Sequence, residues 1–460
     1  MTDNTPRLML AATGSGSGKT TLTCAVLQAF VNRGLKTSSF KCGPDYIDPM
    51  FHTEVIGTKS RNLDLFFFSE NTANFLLLKN SVGCDIAVME GVMGFYDGVG
   101  GTEHASSYHL AAATKTPVVL VLSVRGMALS AAAIVRGFAT LRGDSNIKAV
   151  VLNHCSKASY PMLKQLIEEE TGIHVAGYLP TLSGCLLESR HLGLVTAAEV
   201  QNLRKKLAVL AQQAEETLEL GFLQELAQNA PKLNFTPPQL PAPLQGKPFR
   251  VAIARDKAFC FYYEDSLELL HELGAELIPF SPLSDSALPQ GICGVLLGGG
   301  YPELYAKKLA ENTSLLGDIH EKLTFGLPCI AECGGFLYLH KMLEDADGES
   351  FKMVGVIDAD AVNAHKLNHF GYVTLTASSN NMLCKSGGKM PAHEFHYWQS
   401  SSDGEGFMAE KPTGNRFWQG VYTTQSLYAG FPHLHFYSQP SFAKNFLLQC
   451  ESYRRACDFL

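Results

Sequence analysis

Two short segments of this 460-residue chain hold residue types that could carry out chemistry. In the first, Thr13-Gly14-Ser15-Gly16-Ser17-Gly18-Lys19-Thr20-Thr21 follows an apolar run, Arg7–Ala12, and opens a stretch of helical periodicity. Glycines let backbone N–H groups wrap phosphate oxygens, the lysine reaches the β/γ oxygens, and the hydroxyl after it can ligate Mg²⁺. Gly16, Ser17, Gly18, Lys19, Thr20 and Thr21 are therefore candidate nucleotide-binding residues, with Thr13 where the strict pattern has glycine. In the second, Pro328-Cys329-Ile330-Ala331-Glu332-Cys333-Gly334-Gly335-Phe336 sets a cysteine between a strand and a helix. A helix N-terminus favours the thiolate, and a histidine remote in sequence can be its base. His433, in Gly430-Phe431-Pro432-His433-Leu434-His435-Phe436, is that candidate. The glycine turn Gly298-Gly299-Gly300, with Gly334, offers backbone amides to a tetrahedral oxyanion. Cys329 reads as a buried strand residue.

Acidic residues lie at the ends of two further apolar runs, in Lys41-Cys42-Gly43-Pro44-Asp45-Tyr46-Ile47-Asp48-Pro49 and Met89-Glu90-Gly91-Val92-Met93-Gly94-Phe95-Tyr96-Asp97-Gly98. Ligands of parallel sheets sit at the carboxyl ends of strands, so Lys41, Asp45, Asp48 and Glu90 are expected to converge on the phosphates. Carboxylates there can hold Mg²⁺ and orient an attacking group; the plainer alternative is that Gly-Pro-Asp and Asp-Pro only shape turns and caps. Two histidine pairs suggest a metal. His365 and His369 have helical ligand spacing, but Leu367, Asn368, Gly371 and Tyr372 around them read as loop and strand, and His393-Glu394-Phe395-His396 is one residue short of the zinc-protease pattern. No bound transition metal is expected.

The elements that must position these residues form an α/β pattern that starts twice. Strands are expected at 7–12, 37–41, 85–90, 117–123 and 148–153, with helices such as 19–33 and 127–141 between them, which implies a parallel sheet covered by helices. Residues 197–228 read as a polar helical stretch, and 231–248 hold six prolines, which reads as a linker. The pattern restarts with strands at 250–254, 276–280, 294–297 and 328–331 and a helix at 262–273; beyond about 350 the chain looks richer in strands. The expected division is 1–200, a P-loop domain; 201–248, a helical segment and linker; 249–445, a second α/β domain; and 446–460, a tail.

Bulk properties agree with a multidomain enzyme. Hydrophobic residues make up 46% and charged residues 18%, and a net charge of −7 gives no basic face for nucleic acid. Residues 1–8 lack a signal-peptide apolar core, and no apolar run reaches the ~18 residues that span a bilayer. The twelve cysteines form no Cys-x-x-Cys pair and read mostly as reduced core residues. A cytoplasmic protein with no membrane partner is expected.

Together the motifs resemble the cobyrinate a,c-diamide synthase family, the ATP- and glutamine-dependent amidases of cobalamin biosynthesis. The resemblance runs along essentially the whole chain: the segments at 16–21, 41–49 and 90–98, Arg190-His-Leu-Gly-Leu, Gly298-Gly-Gly-Tyr-Pro-Glu, Glu332-Cys-Gly-Gly, His393-Glu-Phe-His-Tyr and His433-Leu-His-Phe. It implies a P-loop sheet like that of dethiobiotin synthetase, followed by a class I glutamine amidotransferase-like domain. It further implies that ATP phosphorylates a corrinoid carboxylate and that ammonia displaces the phosphate, in turn on the c and a side chains. On that model Lys19 and Thr20 handle phosphate and Mg²⁺, and Asp45 and Glu90 are further metal ligands. Asp48 and Asp97 position the acyl phosphate or ammonia, Lys41 lies at the nucleotide, and Asn153 is an adenine contact. Cys333 carries the glutamyl thioester and His433 raises its nucleophilicity. Three positions depart from related patterns: Ala331 replaces the elbow glycine, His433-Leu434-His435 replaces His-x-Glu, and Ser123 stands where related P-loop enzymes often have the aspartate of a magnesium site. Hydrogenobyrinate and nickel-sirohydrochlorin are alternative macrocycles for the same chemistry. Cobyric acid synthase fits segments 41–49 and 393–397 poorly. A partition-type P-loop ATPase switch would leave Cys333 and His433 without a purpose.

Overall fold

The structure, a computed structural model, describes residues 2–3, 5–182, 184–185 and 197–458; the Arg190-His-Leu-Gly-Leu motif lies outside them. The chain divides into two units, Met1–Pro238 and Gln239–Leu460.

The apolar runs of the first unit become the inner strands of a seven-stranded parallel sheet. Its strands are β1 (Arg7–Ala12), β2 (Thr37–Cys42), β3 (Lys59–Leu63), β4 (Ile86–Glu90), β5 (Val118–Ser123), β6 (Ile147–Asn153) and β7 (His174–Leu179), in the order β3-β2-β4-β1-β5-β6-β7. β1 is buried at all six positions, as a strand covered on both faces must be. β2 looks polar for a buried strand, but its hydroxyls are paired: Ser38 with Ser81 at 3.2 Å and Ser39 with Thr58 at 3.0 Å. Two strands escaped the sequence pattern. β3 is Lys-Ser-Arg-Asn-Leu, held by its register with β2 rather than by an apolar run. β7 contains Gly177, where a Cβ would lie 2.3 Å from the Thr217 carbonyl oxygen.

That carbonyl ends α7 (Ala197–Thr217), the seventh α-helix of the chain after α1 (Lys19–Asn32), α2 (Ile47–Phe51), α3 (Glu70–Ser81), α4 (Ser107–Ala113), α5 (Leu129–Thr140) and α6 (Tyr160–Thr171). Leu207, Leu210, Ala211 and Ala214 of α7 lie in one core with Leu10, Leu22, Val26 and Phe30. Residues 201–217, expected to lead into the linker, thus belong to the first unit. The fully buried Arg7 ties in the start of the proline-rich stretch as well, donating to the carbonyls of Thr5 (3.0 Å), Thr114 (3.0 Å) and Pro231 (2.5 Å).

The second unit holds two large sheets and a two-stranded antiparallel ribbon, Phe259–Phe261 with Gly299–Gly300. The first has the order β9-β8-β10-β11-β19-β18, built from β8 (Phe249–Ala254), β9 (Ala275–Phe280), β10 (Gly294–Leu297), β11 (Cys329–Glu332), β18 (Tyr422–Thr423) and β19 (Leu427–Gly430). It is parallel except at β18. The second has the order β13-β12-β14-β15-β20, from β12 (His340–Glu344), β13 (Ser350–Lys352), β14 (Ile357–Ala377), β15 (Lys389–Ser400) and β20 (His433–Leu434). β16 (Phe407–Glu410) and β17 (Phe417–Gly420) extend it from β14. His365 and His369 sit in β14 at positive φ, 51° and 45°, where its register with β15 shifts. Residues 446–458 complete a helix begun at Pro440 and bury Phe446, Leu447 and Cys450, so the expected tail is part of the core. His435 is fully buried with its ring 4.8 Å from that of Tyr263, and burial depresses it to about 3. Among the described residues no helix is long and apolar enough to cross a membrane.

Two outcomes follow. Residues 1–238 expressed alone should unfold cooperatively in urea, and residues 1–200, which strip Leu207, Leu210, Ala211 and Ala214 from the core, should not; equal cooperativity would refute this placement of α7. His435 titrates near 6.5 when unfolded and near 3 when folded, so the unfolded chain gains the proton first and stability falls as pH drops below 6.5. Between pH 7.5 and 5.0 the wild type should lose on the order of 2 kcal/mol more than His435→Phe, read from urea midpoints. Parallel pH dependence in the two proteins would contradict it.

Candidate functional site: two constellations at strand ends

In the first unit, the ends of β1, β2 and β4 lie side by side: Leu10 pairs with Glu90, and Lys41 with Glu90. The loop from β1 turns through Gly16 (φ 77°) and Gly18 (φ 82°) before α1 begins at Lys19, with Thr20 and Thr21 in its first turn. A Cβ on Gly18 would lie 2.0 Å from Nδ2 of Asn153, which donates to the Ser17 carbonyl at 2.8 Å. The amide group expected to meet adenine is here occupied in bracing the loop.

Glu90 is fully buried and gathers the site around it. Its Oε1 accepts from Thr20 Oγ1 at 2.6 Å and from Lys41 Nζ at 2.9 Å, and the same Nζ lies 2.5 Å from Asp48 Oδ2. Burial pushes Glu90 up, with Lys41 opposing it; burial would lower Lys41, but Glu90 and Asp48 outweigh it and keep Lys41 protonated. Asp48 is held below its usual range because Lys41 outweighs its burial. Asp45, half-buried beside Asp48, is pushed up to about 7 by desolvation and by Asp48, and its Oδ1 accepts from the Ile47 N–H at 2.8 Å. Lys19 is lowered by burial and by Lys41, and donates to the Met93 carbonyl at 2.7 Å.

Asp97 is turned onto its own loop, accepting from the Gly94 N–H at 3.1 Å, while Phe95 N–H bonds the Ala12 carbonyl at 2.8 Å and so sets this turn against the start of the phosphate loop. Ser123 bonds His154 at 2.9 Å. Sequence reasoning missed His52. It opens a single π-helical turn, His52–Ile56, is fully buried, and places Nε2 3.6 Å from Glu90 Oε2. Burial lowers it to about 4, so it faces Glu90 uncharged. The π-turn is the only local signal, and it is absent from the sequence pattern.

Thr20, Asp45 and Glu90 present hard oxygen donors, and Glu90 Oε2 is buried without a hydrogen-bond partner. Among the described residues no three His, Cys, Asp or Glu side chains form a metal-holding group by themselves. Mg²⁺ at a nucleotide takes one or two carboxylates and completes its shell with phosphate and water, so this donor set fits it.

In the second unit, β11 runs into a helical turn at Gly334–Tyr338, with Cys333 between them at φ 47°, ψ −101°. The strain, of order 1–3 kcal/mol for such a conformation, persists because the surroundings admit no other path. Cys333 N–H bonds the Gly430 carbonyl at 2.8 Å, and a Cβ on Gly335 would lie 2.0 Å from the Leu297 carbonyl oxygen. Burial would lower His433, but the neighbouring Cys333 and Glu332 outweigh this and raise it to about 10; Cys333 Sγ itself lies 4.0 Å from the Phe395 carbonyl oxygen. Gly299 has to be glycine beside the ring, because a Cβ would lie 2.6 Å from His433 Cε1. Gly334 abuts Gly300, a Cβ there falling 3.0 Å from the Gly300 nitrogen. Gly298, in contrast, donates its N–H to Tyr262 Oη at 2.9 Å, which removes it from the oxyanion set expected of the 298–300 turn.

His393 lies opposite His433 in register and is held neutral, lowered to about 3 by burial and then by His433. His396 stacks on Phe431 at 3.7 Å and bonds the Trp398 carbonyl at 2.6 Å. Burial pushes Cys42 and Cys260 up to about 12, and Cys24 and Cys329 well above the usual thiol range.

Comparisons with known proteins match both units. The family model for the CobQ/CobB/MinD/ParA nucleotide binding domain covers residues 8–194, and that for the CobB/CobQ-like glutamine amidotransferase domain covers 250–441. A cobyrinate a,c-diamide synthase of Caldanaerobacter subterraneus subsp. tengcongensis is 39% identical over 97% of this chain and 99% of its own. Those of Priestia megaterium and Clostridium acetobutylicum are each 38% identical, over 98% and 95% of this chain and 98% and 99% of theirs. With both domain families matched in order and relatives aligned over nearly its whole length, the chain belongs to the cobyrinate a,c-diamide synthase family.

Proposed function

We propose that the chain uses ATP and glutamine to convert the a and c carboxylates of cobyrinate to amides through acyl phosphates. The observation that carries the reading is the pairing, in one chain, of a strained cysteine neighbouring a buried histidine with a phosphate loop whose first helical turn bonds a buried carboxylate.

In the second unit, the Cys333 thiol passes its proton to His433 and Sγ attacks the glutamine side-chain carbonyl. The oxyanion meets the amides of Gly299, Gly300 and Gly334. His433 returns the proton to the leaving nitrogen, ammonia departs, and water hydrolyses the thioester to glutamate and free Cys333. In the first unit, a carboxylate oxygen of the macrocycle attacks the γ-phosphorus and ADP leaves. Ammonia then attacks the acyl carbon, inorganic phosphate departs, and the nitrogen sheds a proton to leave the amide.

Lys19 leaves the Met93 carbonyl to meet phosphate oxygens, joined by the amides of Gly16 to Thr21. Lys41 keeps Glu90 and Asp48 ionised and fixed. Thr20, Asp45 and Glu90 would hold Mg²⁺, which neutralises phosphate charge. Asp48 and Asp97 position the acyl phosphate or ammonia, and Asn153 sets the phosphate loop against the nucleotide.

An amidation assay with cobyrinate, ATP and Mg²⁺ tests this. Wild type should form diamide with glutamine or ammonium, and Cys333→Ala should lose at least about 10³-fold with glutamine while keeping ammonium-driven activity within about threefold. Loss of both activities in the variant would overturn the division of labour. Failure of the wild type with either nitrogen source would overturn cobyrinate as substrate and put hydrogenobyrinate and nickel-sirohydrochlorin next in the same assay.

A further inference from the structure

The position two residues after the base, which holds the orienting carboxylate in the His-x-Glu pattern, is His435. This residue is fully buried against Tyr263 and carries no negative charge. The geometry points instead to Glu332, the residue immediately before the nucleophile, as the positioning residue that orients His433 and offsets its charge when it takes the thiol proton. This rests on the glutaminase reading above.

Glu332 ends β11, in register with Gly430 of β19, and Cys333 N–H bonds the carbonyl of that same Gly430. Three residues after Gly430 the chain enters β20 at His433, so the carboxylate reaches across the end of the sheet to the histidine strand. Its Oε1 accepts from the Leu434 N–H at 3.1 Å. That bond anchors the carboxylate and leaves Oε2 3.6 Å from His433 Nδ1. The Glu332 side chain is 13% exposed and that of His433 is 4% exposed, so water screens the pair little.

With Nδ1 turned to Glu332, Nε2 is the ring nitrogen left for Cys333. Elsewhere on the ring the Gly299 backbone lies against Cε1, and His393, opposite in register, is held neutral by burial. The proton that leaves Sγ for Nε2 therefore creates an imidazolium whose Nδ1–H points at Oε2. The same proton goes on to the departing ammonia, and Glu332 takes no part in the transfer beyond orienting the ring, as the carboxylate of a triad does.

Glu332→Gln keeps an acceptor for the Leu434 N–H and removes only the charge. It should lower kcat for glutamine hydrolysis by about 10²- to 10³-fold, move KM for glutamine by less than about threefold, and leave ammonium-driven amidation as in wild type. A Glu332→Gln enzyme hydrolysing glutamine within about threefold of the wild-type kcat would overturn the proposal. If ammonium-driven amidation is lost too, Glu332→Asp decides: restored charge should recover at least about tenfold in glutamine hydrolysis over Glu332→Gln, and no recovery would overturn the assignment. A wild type without glutaminase activity would instead sink the underlying reading, and the Glu332 role with it.

Discussion

Glu90 is a carboxylate with no contact with water, and the arrangement at the strand ends of the first unit follows from partnering it and holding it in place. Removing one partner from a buried ion pair costs roughly 3–5 kcal/mol, so each group around Glu90 is under constraint. Lys41 supplies the charge from the neighbouring strand, which fixes the register of β2 on β4. Thr20 supplies a hydroxyl from the first turn of α1, which fixes where the helix starts after the phosphate loop. Asp48 shares Lys41 and brings α2 over the strand ends, and the π-turn after α2 swings His52 beneath the far carboxylate oxygen. One carboxylate thereby joins two strand ends, the start of α1, and α2 with its π-turn into a single arrangement.

The second unit solves a different problem, fixing a nucleophile in a strained turn. Cys333 is held in a conformation its side chain disfavours, and close glycine contacts on either side leave the backbone no room to relax. The strand ladder does the rest: β11 beside β19, and β15 beside β20, deliver Cys333 and His433 to one point from residues 100 apart in sequence.

What the sequence made legible was what depends on local pattern. The phosphate loop, the cysteine elbow and the inner strands announce themselves through glycine spacing and continuous apolar runs. β3 did not, because an edge strand of Lys-Ser-Arg-Asn-Leu is defined by its neighbour. Nor did the extent of either unit. Prolines marked a linker, yet Arg7 binds the Pro231 carbonyl from 224 residues away, and leucines that read as a polar helix's stripe complete a core. His52 and Glu332 were unreadable for the same reason: each meets its partner through strand register or a local π-turn, and neither belongs to a spacing rule.

The burial of the cysteines has a pharmacological consequence. A thiol is attacked as its thiolate, and burial keeps Cys24, Cys42, Cys260 and Cys329 protonated at neutral pH. Of the twelve thiols, Cys457 alone is exposed. An electrophile shaped like glutamine therefore meets several thiols muted by burial, while Cys333 stands out by its place at a strained turn beside an imidazole. Covalent selectivity in such a protein comes from the packing that mutes the other thiols as much as from recognition at the one that reacts.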